Sequence, residues 1–273
     1  MKYIVKKLSE LTKKKINSEV TLEFFLCEDN KEIEYKGRPA MLVIPGGGYS
    51  FCSRREAEPI ALRFMSEGFN CFVLNYTCKK PYPIPHEEVA MAIDYINKHA
   101  AELNIIKGCV SLIGFSAGGH LAASYSYLYK DIANSLKIDE SNIKPFSVIL
   151  GYPVISMKIP TESNSAKIIT NNYDEKLVEK LSCEDHINNC YPPTFIWTTK
   201  TDQCVPFQHS KIMSLALKRN NIKSKLVIFS KGVHGGALCN RGVYDFRYKI
   251  DEIEKNKSWV DMSTKFIFEL IHN

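Results

Sequence analysis

The sequence predicts an α/β protein with a mostly parallel central sheet and helices on both faces, and three observations carry that expectation. Short apolar runs alternate with helix-period patterns along the chain, which implies successive βαβ units. Residues 110–113 (V-S-L-I) suit a strand buried on both faces and pass through Gly114-Phe115-Ser116-Ala117-Gly118 into a small-residue helix pattern. A second buried run, residues 40–44 (A-M-L-V-I), ends in Pro45-Gly46-Gly47-Gly48-Tyr49.

Residues 20–26 alternate well enough for a strand near a sheet edge, and Gly37-Arg38-Pro39 then punctuates the chain before the strand at 40–44. From 54 to 67, Ile60, Ala61, Phe64 and Met65 recur at helical spacing, with Gly68 as the stop. Residues 70–76 are the next strand. Pro81, Pro83 and Pro85 make a stiff connection outside helix or central strand, and a long amphipathic helix starts at His86 with Val89, Ile93, Ile96 and Ala100 on one face. After the strand at 110–113 and its helix, residues 146–150 form a strand closing on Gly151-Tyr152-Pro153. Residues 157–190 are polar and irregular, with a short helix at about 174–181. Strands at 194–198 and 225–229 flank a helix at about 207–220, and a helix at about 259–272 follows. No repeat, low-complexity tract or linker interrupts this series. One domain over 1–273 is expected, with 157–190 as an excursion over the sheet.

Composition narrows the function classes. At 45% hydrophobic and 24% charged residues the chain reads as an ordinary globular protein. The net charge of +6 is scattered, with Lys13 to Lys15 as the one block, and no aromatic-rich basic motif accompanies it, so no nucleic-acid partner is expected. Lys2, Lys6, Lys7 and Glu10 leave no room for a signal-peptide core, and no apolar run approaches membrane-spanning length. A cytoplasmic protein without a membrane partner is the simplest expectation. Nine cysteines without a C-x-x-C pair suit a reducing compartment, most of them acting as small hydrophobes. Cys183, His186 and Cys190 lack the close ligand pairs and fourth ligand of a zinc site, so neither a metal nor a cofactor is expected.

The strand ends carry the chemistry. Gly114-Phe115-Ser116-Ala117-Gly118 fits G-x-S-x-G, in which a serine on a sharp strand-to-helix turn is exposed at the carboxyl edge of the sheet. A serine hydroxyl needs a base, usually a histidine oriented by a carboxylate. His234, in Gly232-Val233-His234-Gly235-Gly236 just past the last sheet strand, is best placed. His120 would be carried sideways by the helix, His209 lies within a helix, His186 could line a pocket, and His86, His99 and His272 read as surface or helix-end residues. Asp202 follows the strand at 194–198 and is the candidate carboxylate, with a helix cap before Phe207 as its alternative role and Asp185 as the fallback acid. The glycines at 46–48 lack the lysine and spacing of a phosphate loop. They suit an oxyanion hole, in which the N–H groups of Gly47 and Gly48 join that of Ala117.

Together these motifs, in the order Ser116, Asp202, His234, resemble α/β-hydrolase esterases with an H-G-G-G-type loop, and most of all the small lidless carbohydrate esterases related to acetyl xylan esterases. Ser53-Arg54-Arg55-Glu56, Asn75-Tyr76 and Gly151-Tyr152-Pro153-Val154 strengthen the likeness, which runs from about Ala40 onward. Proline stands at 45 where such loops usually carry histidine. The resemblance implies an α/β-hydrolase fold without a large lid. It also implies a serine esterase removing a short acyl group such as acetate from a sugar or xylo-oligosaccharide. An amide hydrolase of the kynurenine-formamidase type and a non-catalytic binding protein on the same scaffold are the alternatives. Tyr49, Tyr76 and Tyr152, at strand ends, are expected to border a sugar acceptor.

Overall fold

A computed structural model of the chain describes residues 1–12, 19–28, 32, 37–243 and 253–272. The Lys13 to Lys15 block lies outside them. An eight-stranded sheet runs in the order β1-β2-β4-β3-β5-β6-β7-β8, formed by Lys2–Lys7, Thr21–Leu26, Asn70–Asn75, Arg38–Ile44, Ile105–Phe115, Val148–Gly151, Thr194–Thr199 and Ser224–Phe229. Pairing is antiparallel at β1/β2 and β2/β4 and parallel from β4 to β8. The expectation of a mostly parallel sheet is met.

The interior strands face two apolar layers, so a period of two is hidden inside their continuous apolar runs. In β3, Ala40, Leu42 and Ile44 face one layer while Met41 and Val43 face the other. The first layer is covered by α1 (Leu8–Thr12), α3 (Ile84–Lys98), α4 (Ala117–Leu136), α5 (Glu140–Ile143) and α8 (Gln208–Arg219). The second is covered by α2 (Glu58–Ser66) and the last helix, Trp259–Ile271. Trp259 fills that layer by stacking on Trp197 at 5.0 Å and meeting Phe115 edge-on at 5.9 Å.

Several elements differ from the sequence expectation. Strand β1 and helix α1 were not anticipated, because Lys2–Lys7 is almost wholly exposed and its lysines leave no apolar alternation to read. Such lysines suit the unpaired side of an edge strand, and β2 is therefore internal. Strand β3 begins at Arg38, and Pro39 falls where its register against β5 shifts, a place where a missing N–H costs no ladder bond. The helix expected from Arg54 is a 3-10 turn, Arg54–Glu56, broken at Ala57 before α2. Pro85 belongs to α3, in the first turn, where helix N–H groups lack partners in any case.

The segment between β6 and β7 carries α6 (Ser165–Ile169) and α7 (Glu175–Lys180), the latter capped by Asp174, which accepts from the Leu177 N–H at 3.0 Å. It is pinned to the sheet rather than hinged over it. Ile169, Leu181, Cys183 and Tyr191 are buried in the first layer. The Tyr127 hydroxyl donates to the Lys180 carbonyl at 2.9 Å, and the Tyr191 hydroxyl to Ala123 at 3.0 Å.

Three histidines are sealed in the same layer. His86 is fully buried, not a surface residue, with Nε2 2.8 Å from the Ser124 hydroxyl. His120 accepts from the Tyr49 hydroxyl at Nδ1 (2.7 Å) and donates from Nε2 to the Leu181 carbonyl (2.8 Å), a pattern open only to the neutral ring. The His209 Nδ1 accepts the N–H groups of Ile155 and Ser156 at 3.0 and 3.2 Å, which again requires neutrality. Burial pulls His120 and His209 down to about 4 and His86 well below the ordinary 6.5. Above the ordinary value both folded and unfolded chains carry neutral rings, and stability is complete. Below it the unfolded chain takes up protons that the folded chain refuses. Stability should therefore fall between about pH 6.5 and 4, by up to about 1.4 kcal/mol per pH unit for each of His120 and His209. Urea midpoints at pH 7.5, 6, 5 and 4.5 check this, and a His209→Gln variant should show a shallower decline; a midpoint flat across that range contradicts it.

Candidate active site

Five adjacent parallel strands, β3, β5, β6, β7 and β8, end along one edge, and each is followed by a loop that carries part of the candidate site. Ser116 stands between β5 and α4 with φ 53° and ψ −119°, outside the conformations comfortable for a side-chain-bearing residue. The turn is possible because Gly114 and Gly118, two residues to either side, lack side chains. A Cβ on Gly118 would sit 2.2 Å from the Ile44 carbonyl oxygen, and one on Gly114 2.2 Å from that of Gly118. The backbone of Ser116 is held by its N–H on the Gly151 carbonyl (3.0 Å) and its own carbonyl accepting from His120 and Val154 (both 3.1 Å).

Ser116 Oγ lies 2.8 Å from His234 Nε2, and His234 Nδ1 lies 2.8 Å from Asp202 Oδ2. The other oxygen of Asp202 accepts the N–H groups of Cys204 and Val205 at 2.9 Å each, which orients a carboxylate whose side chain is fully buried. Asp202 does not cap a helix, since α8 begins at Gln208 without a side-chain cap. Asp185, the fallback, is half-exposed and paired with Lys158 at 2.7 Å. The histidine loop is tied to the aspartate loop by Thr201, whose hydroxyl donates to the Gly232 carbonyl (2.7 Å) and accepts its N–H (2.9 Å).

The glycine loop lies across from this chain of hydrogen bonds. The Gly47 carbonyl accepts from Ser50 and Phe51 at 2.9 and 3.3 Å, closing a turn that needs φ +123° at Gly47 and φ +64° at Gly48. A Cβ on Gly47 would fall 2.0 Å from the Phe51 carbonyl oxygen, so no other residue fits there. Among the described residues the N–H groups of Gly47, Gly48 and Ala117 donate to no protein acceptor. Ala117 is the first residue of the twenty-residue α4, whose N-terminus favours negative charge.

A cleft of about 430 Å³ opens here, lined by Ser116, His234, Gly47, Gly48, Arg55 and Ser163 among others. Ser163, with Glu162 and Asn164, comes from the segment between β6 and β7, which thereby forms one wall. His186 lies elsewhere, stacked on Tyr127 at 5.1 Å. Among the described residues no group of histidine, cysteine and acidic side chains could hold a metal ion.

The three tyrosines do not border the cleft. All are buried with their hydroxyls engaged: Tyr49 on His120, Tyr76 on the Pro45 carbonyl at 3.0 Å, and Tyr152 on Glu56 Oε1 at 2.7 Å. They are supports, because an aromatic ring at a parallel strand's end fills the space beneath the loops. Tyr152 also meets the His234 ring edge-on at 5.0 Å.

Glu56 was missed by the sequence reading. Its carboxylate is 3% exposed, and while Oε1 accepts from Tyr152, Oε2 accepts the Gly46 N–H at 2.9 Å. The Tyr152 hydroxyl accepts in turn from the Ala237 N–H at 3.0 Å, three residues past His234. Arg54 of the same turn binds Glu23 on β2 at 2.7 Å. Burial pushes Glu23 up, but hydrogen bonds from Asn75, Arg54 and Tyr3 outweigh it and hold this carboxyl below its ordinary value. The signal available was the Ser53-Arg54-Arg55-Glu56 run, which the sequence reading used only for the family likeness and gave no role in the site.

Comparison with known proteins follows the geometry. The BD-FAE family model matches residues 27–217. An endo-1,4-beta-xylanase B of Butyrivibrio fibrisolvens is 35% identical over 211 residues, 74% of this chain and 33% of that protein. An acetylxylan esterase of Xylanibacter ruminicola is 30% identical over 209 residues, 72% of this chain and 40% of the relative. The chain thus spans only a third to two fifths of these relatives' length. The crystal structure of a carboxylesterase from Lactobacillus plantarum superposes with a TM-score of 0.87 at 25% identity, covering 98% of both chains. The fold is that of the α/β hydrolases.

Replacing Glu56 by Gln puts a donor amide where two donors converge. Glu56→Gln should cost roughly 2 kcal/mol of stability and lower kcat on a p-nitrophenyl ester by at least about tenfold, an order-of-magnitude expectation for a misplaced oxyanion donor. Thermal melts with steady-state kinetics check this; a variant indistinguishable in both contradicts the bridging role.

Proposed function

The chain belongs to the BD-FAE family, and from that premise we propose that it is a serine carboxylesterase cleaving short-chain esters, foremost acetyl esters of carbohydrate such as xylo-oligosaccharides. The observation that carries the reading is the pair of 2.8 Å hydrogen bonds linking Ser116, His234 and Asp202 beside free loop N–H groups. The names of the Butyrivibrio and Xylanibacter relatives, a xylanase and an acetylxylan esterase, support the carbohydrate acceptor.

In the proposed reaction Ser116 Oγ attacks the ester carbonyl while His234 Nε2 takes the hydroxyl proton. Asp202 holds the imidazole with Nδ1 protonated and stabilises the imidazolium that forms. The carbonyl oxygen, turning into an oxyanion, is met by N–H groups of Gly47, Gly48 and Ala117, each such donor contributing roughly 3 kcal/mol to the transition state. The bond to the sugar oxygen breaks as His234 gives its proton to that oxygen, so the sugar leaves with a free hydroxyl and an acyl-serine remains. Water, deprotonated by the same histidine, attacks the acyl carbon, and His234 passes that proton to Ser116 Oγ as the acyl–Oγ bond breaks, releasing the acid and the free serine.

The acyl group is small in this reading because the cleft lacks an apolar trough. Its lining is mostly glycine, serine, asparagine and charged side chains, with Phe51 and Cys204 as apolar members. A buried methylene contributes about 0.8 kcal/mol only where apolar surface receives it. Phe51 is 60% exposed at the rim, and its ring offers a face to a pyranose.

Ser116→Ala should lower kcat by on the order of 10⁵ to 10⁶ and abolish labelling by a fluorophosphonate, with the fold intact by circular dichroism. Asp202→Asn should cost on the order of 10⁴. Near-normal turnover in either variant would sink the assignment. Across p-nitrophenyl esters, kcat/KM should be highest for acetyl and fall beyond butyryl; a rise through octanoyl contradicts the small-cleft argument. Faster cleavage of N-formylkynurenine than of acetylated xylo-oligosaccharides would favour an amide hydrolase instead.

A further inference from the structure

Beside the reaction cleft lies a second cavity of about 380 Å³, and the two share Ser50 and Asn164 in their walls. The cleft carries charges of both signs, Arg55 and Glu162. The side cavity carries one sign only: Lys79 and Lys167 line it, and none of its lining residues is acidic. We propose that this cavity is an acceptor subsite for an anionic group on the sugar, a uronate carboxylate or a phosphate, held by Lys79 and Lys167 while the ester lies at Ser116. The proposal rests on the esterase reading for its placement of the ester, but the subsite itself is defined by the cavity.

Three features support it. Among the described residues no ion pair involves either lysine, whereas Lys98, Lys158 and Lys180 are paired with Asp94, Asp185 and Asp131. The amide side chains of Asn164, Asn171 and Asn172, which complete the wall, are exposed to solvent, so they can turn to sugar hydroxyls. The far wall is also backbone held out of its comfortable range. Asn171, Asn172 and Tyr173 follow one another at φ 50°, 63° and 63°, and Lys79 opposite has φ 60°. Asparagine tolerates that region but a run of three including a tyrosine is costly, and strain of this kind gathers where side chains must be presented to a ligand.

The spacing to the ester is set by the backbone. The Lys79 N–H donates to the Tyr49 carbonyl at 2.7 Å, tying the lysine to the glycine loop, and the Asn172 N–H donates to the Lys167 carbonyl at 2.7 Å. The wall at Lys79 is thus fixed to the glycine loop of the cleft, and Lys167 belongs to the segment that forms the cleft's opposite wall.

Titration calorimetry on the intact chain with unacetylated ligands tests the subsite without turnover. Glucuronosyl-xylotriose against xylotriose, and glucose 6-phosphate against glucose, form matched pairs that separate a uronate from a phosphate. The charged member of at least one pair should bind roughly three- to tenfold tighter, the scale of two exposed charge contacts, and the advantage should shrink from 50 to 500 mM NaCl. In Lys79→Met/Lys167→Met the ratio should fall to about one, and in Lys167→Arg it should persist. Equal affinity within both pairs, or a preference that survives the double substitution, overturns the subsite. Hydrolysis of p-nitrophenyl acetate, which has no anionic substituent, reports separately on the esterase reading, so failure of one is not failure of the other.

Discussion

Three of the five loops that form the candidate site are tied to a single buried carboxylate. Glu56 accepts the Gly46 N–H with one oxygen and the Tyr152 hydroxyl with the other, and Tyr152 passes the restraint to Ala237 beyond His234. Three loops following β3, β6 and β8 are thereby held to one group. A carboxylate so buried is costly unless its lone pairs are used, and here donors converge on both oxygens. The loop after β3 carries proline at 45, so its anchoring comes from outside the loop: Glu56 on Gly46 and Tyr76 on the Pro45 carbonyl.

The second constraint is close packing at the serine turn. Glycine at 114 and 118 lets β3, β5 and the start of α4 approach within distances a Cβ cannot share, and the strained Ser116 is carried on that contact. Below the turn, the first layer seals His86, His120 and His209 as neutral hydrogen-bonding groups. His120, four residues past Ser116, joins the glycine loop through Tyr49 to the segment between β6 and β7 through Leu181. The loops above and the core below are therefore joined by hydrogen bonds through a neutral histidine.

What the sequence made legible follows from how local each signal is. The strands at 40–44, 110–113 and 194–198 could be read because a strand buried on both faces is a contiguous apolar run. Ser116 and Asp202 could be named because each lies just past such a run, and His234 because glycines flank it after the half-buried strand β8; the structure brings those three side chains into one hydrogen-bonded chain. Strand β1 was opaque because an edge strand of exposed lysines has no burial pattern. The role of Glu56 was opaque because its partners lie 10 and 96 residues away. Tyr76 and Tyr152 directly follow strands and Tyr49 lies in the glycine loop, but sequence does not say whether a ring at such a place turns outward to a ligand or inward beneath the loops.

The division of labour across the cleft follows from the same topology. The proposed reacting groups, Ser116, Asp202 and His234, sit on loops that follow neighbouring parallel strands, so their spacing is set by the sheet. The opposite wall comes from the long segment between β6 and β7, where Ser163 and Ser165 face Gly48 and their hydroxyls lie 2.7 Å apart. That segment is anchored by Ile169, Leu181 and Tyr191 in the core, while Glu162, Asn164, Lys167 and Asn171 remain exposed. Its exposed side chains can change without disturbing either the anchors or the hydrogen-bonded chain at Ser116. In the proposed esterase, selection among acceptors accordingly falls to this wall and to Lys79 beside it, and acyl transfer falls to the groups at the strand ends.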